Sequence, residues 1–203
     1  MRLVLDWDGT VTVQDSLVQV IHEFGDSAML AELEPRVGVD LTLHEEIALE
    51  FESVRAPLEE VVVWVSKHVH VRPGLRELAD AYRPTILSSG FVELIEPVLE
   101  REGIHGLEVV ANRLDPRPDG WRVLWRDEAQ CAECGEPCKR GALQGDHVVY
   151  VGDGYSDRCA ALSARRVFAR DGLAAYLDRR GLAYEPFGDL RDVAHALAGA
   201  RSS

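Results

Sequence analysis

Two carboxylates close to the N-terminus are the first residues in this sequence that could do chemistry. Asp6 ends the short apolar run 2–6, and Asp8 follows two positions later, just before Gly9. Glycine permits a tight backbone turn at that point. Asp6 could then attack phosphorus as a nucleophile, while Asp8 protonates the leaving alkoxide and later deprotonates the hydrolytic water. Taken alone, the same residues could also form a solvated Asp-Gly turn.

A second group of candidates lies at Ser88, Ser89 and Gly90, at the end of another short apolar run. A hydroxyl and adjacent backbone N–H groups at a strand end can hold a phosphate oxygen. The three residues are therefore predicted to bind substrate. A helix cap is the alternative interpretation of a Ser-Ser-Gly sequence.

The remaining catalytic candidates lie in the C-terminal half. Lys139 is the lone lysine between positions 68 and 203, and Asp153 and Asp157 bracket a glycine turn after an apolar run. Carboxylate oxygens are the partners that Mg²⁺ prefers, together with water and substrate phosphate. Asp157 could serve as a further ligand or orient Lys139, which taken alone could be a solvated surface residue. The predicted magnesium ligands are Asp6, Asp8, Asp153 and Asp157, and the predicted catalytic residues are Asp6, Asp8 and Lys139.

Short apolar runs alternate with helical patterns along most of the chain. Strands are predicted at 2–6, 84–88, 107–111, 147–151 and 166–169, and helices at 73–82, 92–101, 156–164, 173–180 and 190–198. Such alternation predicts an α/β fold with a Rossmann-like, doubly wound parallel sheet. The segment 121–125 could add a hairpin.

One long stretch interrupts this alternation. Between about 15 and 69 the apolar spacing is helical throughout, which predicts an inserted helical bundle. The predicted division is an α/β core of 1–14 and 73–203 with a helical cap of 15–72. Because the insert leaves after the first strand, we expect it to cover the carboxyl edge of the sheet, where open α/β sheets bind ligands.

The cysteines form a separate cluster. Cys131, Cys134 and Cys138 have a spacing that suits Zn²⁺, although a structural zinc site needs four ligands. His147 or Cys159 could supply the fourth. Reduced thiols packing a loop beside the lysine are the alternative. Four clustered cysteines are too few for a disulfide scaffold in a chain of 203 residues.

Composition limits the partners. With 22 Lys and Arg against 35 Asp and Glu, the formal net charge is −13, and no basic cluster offsets it. Such a protein repels polyanions, so nucleic acid is not expected as a partner. No segment approaches the roughly 20 apolar residues of a membrane helix, and no signal peptide is recognisable. We therefore expect a cytoplasmic protein without a membrane partner; its oligomeric state cannot be read from the sequence.

The order Asp6-x-Asp8-Gly-Thr, Ser88, Lys139 and Gly-Asp153-x3-Asp157 resembles the four motifs of the haloacid dehalogenase superfamily over nearly the whole chain. The resemblance implies that Asp6 is the nucleophile and Asp8 the acid and base. It also implies that Ser88 and Lys139 contact the phosphoryl group, and that the last two acids serve the metal.

Within that superfamily the chain is most similar to the phosphoserine-phosphatase-like branch. It shares features with methionine-salvage phosphatases and with phosphocholine and phosphoethanolamine phosphatases. These are the helical cap, the cysteine-rich segment ending in Cys138-Lys139, and a Phe-Ala-Arg-Asp segment at 168–171. In phosphoserine phosphatases an acid and an arginine of the cap bind the substrate. Asp15 could stand for the acid, but the expected arginine region has none, and Arg55 is the nearest substitute.

The resemblance therefore implies a Mg²⁺-dependent phosphatase that hydrolyses a small phosphorylated metabolite through an aspartyl-phosphate. A methylthio-pentyl phosphate of methionine salvage is the first substrate candidate, and phosphoserine, phosphoethanolamine and phosphocholine are the alternatives. Apolar cap residues would favour the methylthio chain, whereas acidic ones would favour an amine. A phosphoryl-accepting receiver switch is the non-enzyme alternative. The built-in acid at Asp8, the long cap and the nucleophile on the first strand disfavour it.

Overall fold

A seven-stranded sheet forms the centre of the molecule in a computed structural model, which describes residues 1–143, 145 and 147–199. The strands are β1 (Arg2–Leu5), β2 (Thr85–Phe91), β3 (Val109–Asp115), β4 (Arg122–Leu124), β5 (Val148–Gly152), β6 (Arg166–Ala169) and β7 (Glu185–Pro186). Their spatial order is β4-β3-β2-β1-β5-β6-β7, and all neighbours are parallel except β4, which pairs antiparallel with β3. The predicted doubly wound α/β fold is confirmed. The end of the predicted core, 200–203, lies outside the described residues.

Helices cover the sheet and fill the insert. They are α1 (Ser16–Phe24), α2 (Ser27–Leu33), α3 (Leu43–Glu52), α4 (Leu58–His68), α5 (Leu75–Tyr82), α6 (Val92–Arg101), α7 (Arg158–Ser163), α8 (Asp171–Arg179) and α9 (Leu190–Gly199). The predicted helix 92–101 has the observed bounds. The predicted helix 156–164 instead begins as a 3-10 turn, Tyr155–Asp157, before α7 starts. No helix in the described ranges has the length and apolar character needed to cross a membrane.

The strand order places the carboxyl ends of β1 and β5 side by side. Leu5 pairs with Val151, so the residues that follow the two strands emerge next to each other. From this pair the chain winds outward through β2 and β3 on one side and through β6 and β7 on the other. A crevice at such a switch point is where open α/β sheets bind ligands.

Helices α1 to α4 form the insert between β1 and α5. An isolated antiparallel bridge between Thr12 and Val71 closes it at its base, within a few residues of the predicted limits 15 and 72. The insert shares one continuous apolar cluster with the sheet, since Val61 and Val65 of α4 belong to the same core as Leu5. The division into core and cap stays a prediction.

The short strand β4 confirms part of the predicted hairpin at 121–125. The adjacent Trp121 is 1% exposed, and its indole Nε1 donates to the carbonyl of Ala56 at 3.0 Å. Its backbone N–H donates to the carbonyl oxygens of Phe51 and Val54. The hairpin is thus fastened to the insert.

Candidate active site

The loop after β1 brings Asp6 against the end of β5. Gly9 has φ +75°, and a Cβ at this position would lie 2.3 Å from Oδ2 of Asp153. Only glycine therefore allows the loop to come so close to that carboxylate. The hydroxyl of Thr10 donates to Oδ1 of Asp153 at 2.6 Å. The two predicted acids, Asp6 and Asp153, are thereby held in one site.

Arg72 holds the same loop from the base of the insert. Its Nη2 donates to the carbonyl of Gly9 at 2.9 Å, and its Nε donates to the carbonyl of Thr10 at 3.1 Å. Its backbone N–H donates to the carbonyl of Val11 at 2.7 Å. Arg72 therefore fixes the turn that directly follows Asp8.

Lys139 joins two buried carboxylates. Its Nζ donates to Oδ1 of Asp6 and, at 2.7 Å, to Oδ1 of Asp157. The side chains of Lys139 and Asp157 are 2% and 0% exposed. Burial opposes the charge on the ammonium, but the carboxylates of Asp157 and Asp6 raise the pKa of Lys139 above its ordinary value. The lysine is therefore charged at any pH at which Asp6 would react.

Asp157 receives hydrogen bonds on both carboxylate oxygens. Besides Lys139, the hydroxyl of Tyr150 donates to Oδ1 at 2.6 Å. The backbone N–H groups of Asp153 and Gly154 donate to Oδ2 at 2.8 and 2.9 Å. Since a carboxylate offers about four acceptor positions, Asp157 has little capacity left for a metal ion. Of its two predicted roles, the geometry favours orienting Lys139.

Asp8 points away from these groups. Its Oδ1 accepts hydrogen bonds from the backbone N–H of Ser16, at 2.9 Å, and from the Ser16 hydroxyl. Burial and the neighbouring Asp15 raise the pKa of Asp8 to about 7, although the hydrogen bonds from Ser16 oppose this. A carboxyl whose pKa lies near neutrality can both give and take a proton.

The predicted substrate-binding residues lie within β2, which continues to Phe91 and does not end at Ser88 as predicted. Its register with β3 shifts along this stretch. The hydroxyl of Ser88 faces Oδ2 of Asp8 at 3.5 Å and accepts from the N–H of Gly90 at 2.8 Å. Ser89 lines the cavity described below. The strand's irregular end thus brings the three residues beside the acid.

Three carboxylates lie close enough together to hold one cation. Asp6, Asp153 and Asp157 each offer an oxygen within 4.8 Å of the others. Among the described residues the predicted ligand Asp8 is not part of this group, because its carboxylate is bonded to Ser16. Burial and Asp157 raise the pKa of Asp6 well above its ordinary value and that of Asp153 to about 6. Hard oxygen donors with excess negative charge suit Mg²⁺. The donor set therefore fits the predicted ion, with Asp6 and Asp153 as the side chains best placed to hold it.

A cavity of about 620 Å³ opens above Asp6 and extends into the insert. Lys139 contributes the one Lys or Arg side chain among the described residues that line it, whereas Arg55 lines a separate pocket. Arg55 is therefore not placed to bind a substrate carboxylate. Where the insert lines the cavity, it contributes four acids, Asp15, Glu34, Glu46 and Glu50. It also contributes an apolar side, formed by Leu17, Leu30, Val37, Leu43 and Ile47.

Glu50 is the most enclosed acid of the insert. It is 6% exposed, and it lines the cavity. Burial, then Glu46 and Asp15, raise its pKa to about 8, and burial with Glu34 raises the pKa of Glu46 to about 7. The crowding of these acids around one cavity points to a cationic group that would enter the cavity and offset their charge.

The four cysteines come together beside the site. The Sγ atoms of Cys131, Cys134, Cys138 and Cys159 all lie within 4.8 Å of one another, and all four thiols are free. Of the two predicted fourth members, the structure brings in Cys159, whereas His147 lies at the start of β5 against Arg165.

Four residues of the site, Ser16, Arg72, Tyr150 and Glu50, were not predicted from the sequence. Tyr150 carried the clearest signal, as a hydroxyl within the aliphatic run of β5. Arg72 depends on a contact between segments 63 positions apart, and the roles of Ser16 and Glu50 depend on how the loop and α3 fold around the cavity.

Comparisons with known proteins find relatives that span nearly the whole chain. A protein of Schizosaccharomyces pombe called Pdp3-interacting factor 1 is 28% identical, over 93% of this chain and 90% of its own length. The 2-hydroxy-3-keto-5-methylthiopentenyl-1-phosphate phosphatase of Exiguobacterium sibiricum is 26% identical, over 97% of this chain and 96% of its own. A substrate-bound phosphoserine phosphatase structure superposes with a TM-score of 0.71 at 17% identity, covering 96% of this chain and 97% of that one.

A family model provides the assignment. The model of haloacid dehalogenase-like hydrolases matches residues 3–162, a range that contains Asp6, Ser88, Lys139 and Asp157. Together with the phosphatases among the relatives, the match confirms the predicted enzyme class, a phosphatase-type hydrolase, over the receiver switch. The chain belongs to the haloacid dehalogenase-like hydrolase family.

Proposed function

We propose that the protein is a Mg²⁺-dependent phosphatase that hydrolyses a small phosphomonoester in two steps through an aspartyl-phosphate on Asp6. The observation that carries this proposal is the pairing of a buried Asp6, bonded to Lys139, with a second carboxyl at Asp8 that is bonded to Ser16 and faces the Ser88 hydroxyl. The first group suits nucleophilic attack and the second suits proton transfer.

In the first step Asp6 attacks phosphorus, and the P–O bond to the leaving alkoxide breaks. Protonated Asp8 gives its proton to that oxygen. In the second step the Asp8 carboxylate takes a proton from water, which attacks phosphorus, releases inorganic phosphate and restores Asp6. Lys139 and Ser88 would bind the phosphoryl oxygens, and Asp157 would keep Lys139 in place.

Magnesium would be held by Asp6 and Asp153, and it would offset the negative charge that the phosphoryl group brings to these acids. Arg72 and Gly9 contribute indirectly, because they fix the turn after Asp8 and its close approach to Asp153.

The proposed function can be tested by the hydrolysis of an aryl phosphate such as p-nitrophenyl phosphate. We expect turnover with Mg²⁺ and a loss of at least about 100-fold after chelation, since charge compensation by a metal contributes several kcal/mol to the transition state. Restoring Mg²⁺ should restore the rate. Equal rates with and without the ion would contradict the proposal.

For the substrate we propose two candidates. The first is a methylthio-pentyl phosphate of methionine salvage, which is supported by relatives named as phosphatases of 2-hydroxy-3-keto-5-methylthiopentenyl-1-phosphate and by the apolar wall of the cavity.

The second candidate is a phosphomonoester that carries an ammonium group, such as phosphoethanolamine or phosphocholine. The acids of the cavity favour it, above all Glu50, which is 6% exposed and lines the cavity. Phosphoserine is less favoured, because no Arg or Lys other than Lys139 lines the cavity among the described residues to meet its carboxylate. A panel of these substrates ranks the candidates by kcat/KM.

Glu50→Gln separates the two candidates. If the substrate is cationic, KM for it should rise at least about tenfold, since a buried ion contact contributes about 1.5–3 kcal/mol, while KM for a methylthio-pentyl phosphate should stay the same. The variant should also be more stable above pH 8. Because the folded-state pKa of Glu50 is raised to about 8, wild-type stability falls as pH rises from about 4.5 to 8, and glutamine removes this loss.

The matched control is Glu60→Gln, the same change at an exposed position of α4. Kinetic constants and a pH series of thermal unfolding should show no difference between this control and the wild type. An unchanged KM for every amine-bearing substrate in Glu50→Gln would rule out the cationic candidate.

A further inference from the structure

The four cysteines join two segments that carry catalytic groups. Cys138 directly precedes Lys139, and Cys159 lies in α7, two residues after Asp157. Lys139 and Asp157 are hydrogen-bonded at 2.7 Å, so the cluster lies directly behind this ion pair. We propose that the thiolates of Cys131, Cys134, Cys138 and Cys159 bind one structural Zn²⁺, which fixes the Lys139 segment to α7.

The geometry of the sulfur atoms supports a tetrahedral site. A zinc–sulfur distance of about 2.3 Å places the four sulfurs of a regular tetrahedron about 3.8 Å apart. All four Sγ atoms lie within 4.8 Å of one another, so small side-chain adjustments bring them to these distances. The ligand count is complete, as a closed structural site requires.

The backbone around Cys131 is also suited to a thiolate. The N–H of Glu133 points to Sγ of Cys131 at 3.4 Å, and the N–H of Gly135 donates to the carbonyl of Cys131 at 2.8 Å. Gly135 takes φ +76°, which closes this turn tightly. The turn therefore presents Cys131 and Cys134 to the same point.

Two arginine and two glutamate side chains, Glu133 and Glu136 being the acids, lie beside the cluster. Arg158 and Arg180 line a cavity of about 190 Å³ together with Cys134, Cys138 and Cys159. Nε of Arg158 is buried and has no hydrogen-bond partner among the described residues. Four thiolates around one Zn²⁺ leave a net charge of −2. Arg180 already pairs with Glu133 at 3.5 Å, so Arg158 is the guanidinium placed to offset part of this charge.

The segment that carries the cysteines explains why a metal would be needed. Between β4 and the 3-10 turn at Lys139 the chain forms no helix or strand over 125–138, and Cys134 is exposed. Yet the next residue, Lys139, is 2% exposed and must meet Asp6. Long segments without secondary structure are ordered when something fixes them, and a structural metal contributes folding free energy directly.

Metal content of the full-length protein tests the proposal independently of the phosphatase reaction. Protein purified without added chelator should contain about one zinc per chain by mass spectrometry, retained after dialysis. Cys131→Ser and Cys159→Ser should each lose most of it and unfold at lower temperature. Ser66→Ala, on α4, is the control and should keep its zinc.

Cobalt substitution keeps the test valid if the cysteine variants fail to fold. Wild-type protein loaded with Co²⁺ in place of zinc should show the visible absorption of a tetrahedral tetrathiolate complex, and its four thiols should resist a thiol reagent until the metal is removed. Zinc-free native protein with four reactive thiols would overturn the proposal. Full zinc retention in both cysteine variants would do so as well.

Discussion

Replacing Asp6 by asparagine should abolish turnover of an aryl phosphate, with kcat falling by at least about 10³-fold, because an amide cannot form the phosphoryl-enzyme. The fold should persist. In the wild type, Asp157 and Asp153 repel the Asp6 carboxylate and raise its pKa. The amide removes this repulsion, and the gain offsets the weaker bond to Lys139. Steady-state kinetics with thermal unfolding on the same sample measure both effects.

Asp8→Asn should behave differently. With an aryl phosphate, whose leaving group needs little protonation, it should release one equivalent of phenol rapidly and then turn over slowly, as the phosphoryl group remains on Asp6. Asp80→Asn, the same change at an exposed position of α5, is the control and should leave the kinetics unchanged. Substantial turnover by Asp6→Asn would refute the proposed nucleophile.

Lys139→Met is expected to be the most destabilising single change in the site. Lys139 bonds two buried carboxylates, Asp6 and Asp157, and its removal leaves both without their cation. Breaking a buried ion pair in this way costs about 3–5 kcal/mol. Activity should fall together with stability, because the phosphoryl group loses its bound cation. Chemical denaturation monitored by circular dichroism, and kinetics below the unfolding transition, measure the two losses.

Lys67→Met serves as the control for this prediction, since Lys67 is an exposed lysine on α4. Its free energy of unfolding should match that of the wild type within about 0.5 kcal/mol. If Lys139→Met were as stable as this control, the buried ion pair would not contribute to the free energy of unfolding.

Much of the fold could be predicted because the sheet is buried on both faces. Strands β1, β5 and β6 are apolar runs bounded by polar residues, and such runs are recognisable in a sequence. The end of β2 was predicted too early, since Ser88, Ser89 and Gly90 break the apolar run although the strand continues to Phe91. Pairing with β3, a long-range contact, keeps that stretch extended.

The residues of the site that belong to short sequence motifs could be predicted, whereas the roles that depend on packing between segments could not. Asp6, Lys139 and Asp153 were identified and do lie together. The sequence could not distinguish a metal ligand from an orienting acid at Asp157. That distinction depends on Tyr150 and on two backbone N–H groups reaching the same carboxylate.

The insert cannot be exchanged as a module between related enzymes. Val61, Val65 and Val69 belong to the same apolar cluster as Leu5 and Val151 of the sheet, so a graft of foreign helices would remove one side of that core. New substrate preference is more accessible by point substitution at the cavity walls, for example at Glu46, Ile47 and Glu50 of α3. In evolutionary terms, selectivity in this protein can change by single residues facing the cavity while the apolar contacts beneath them are kept.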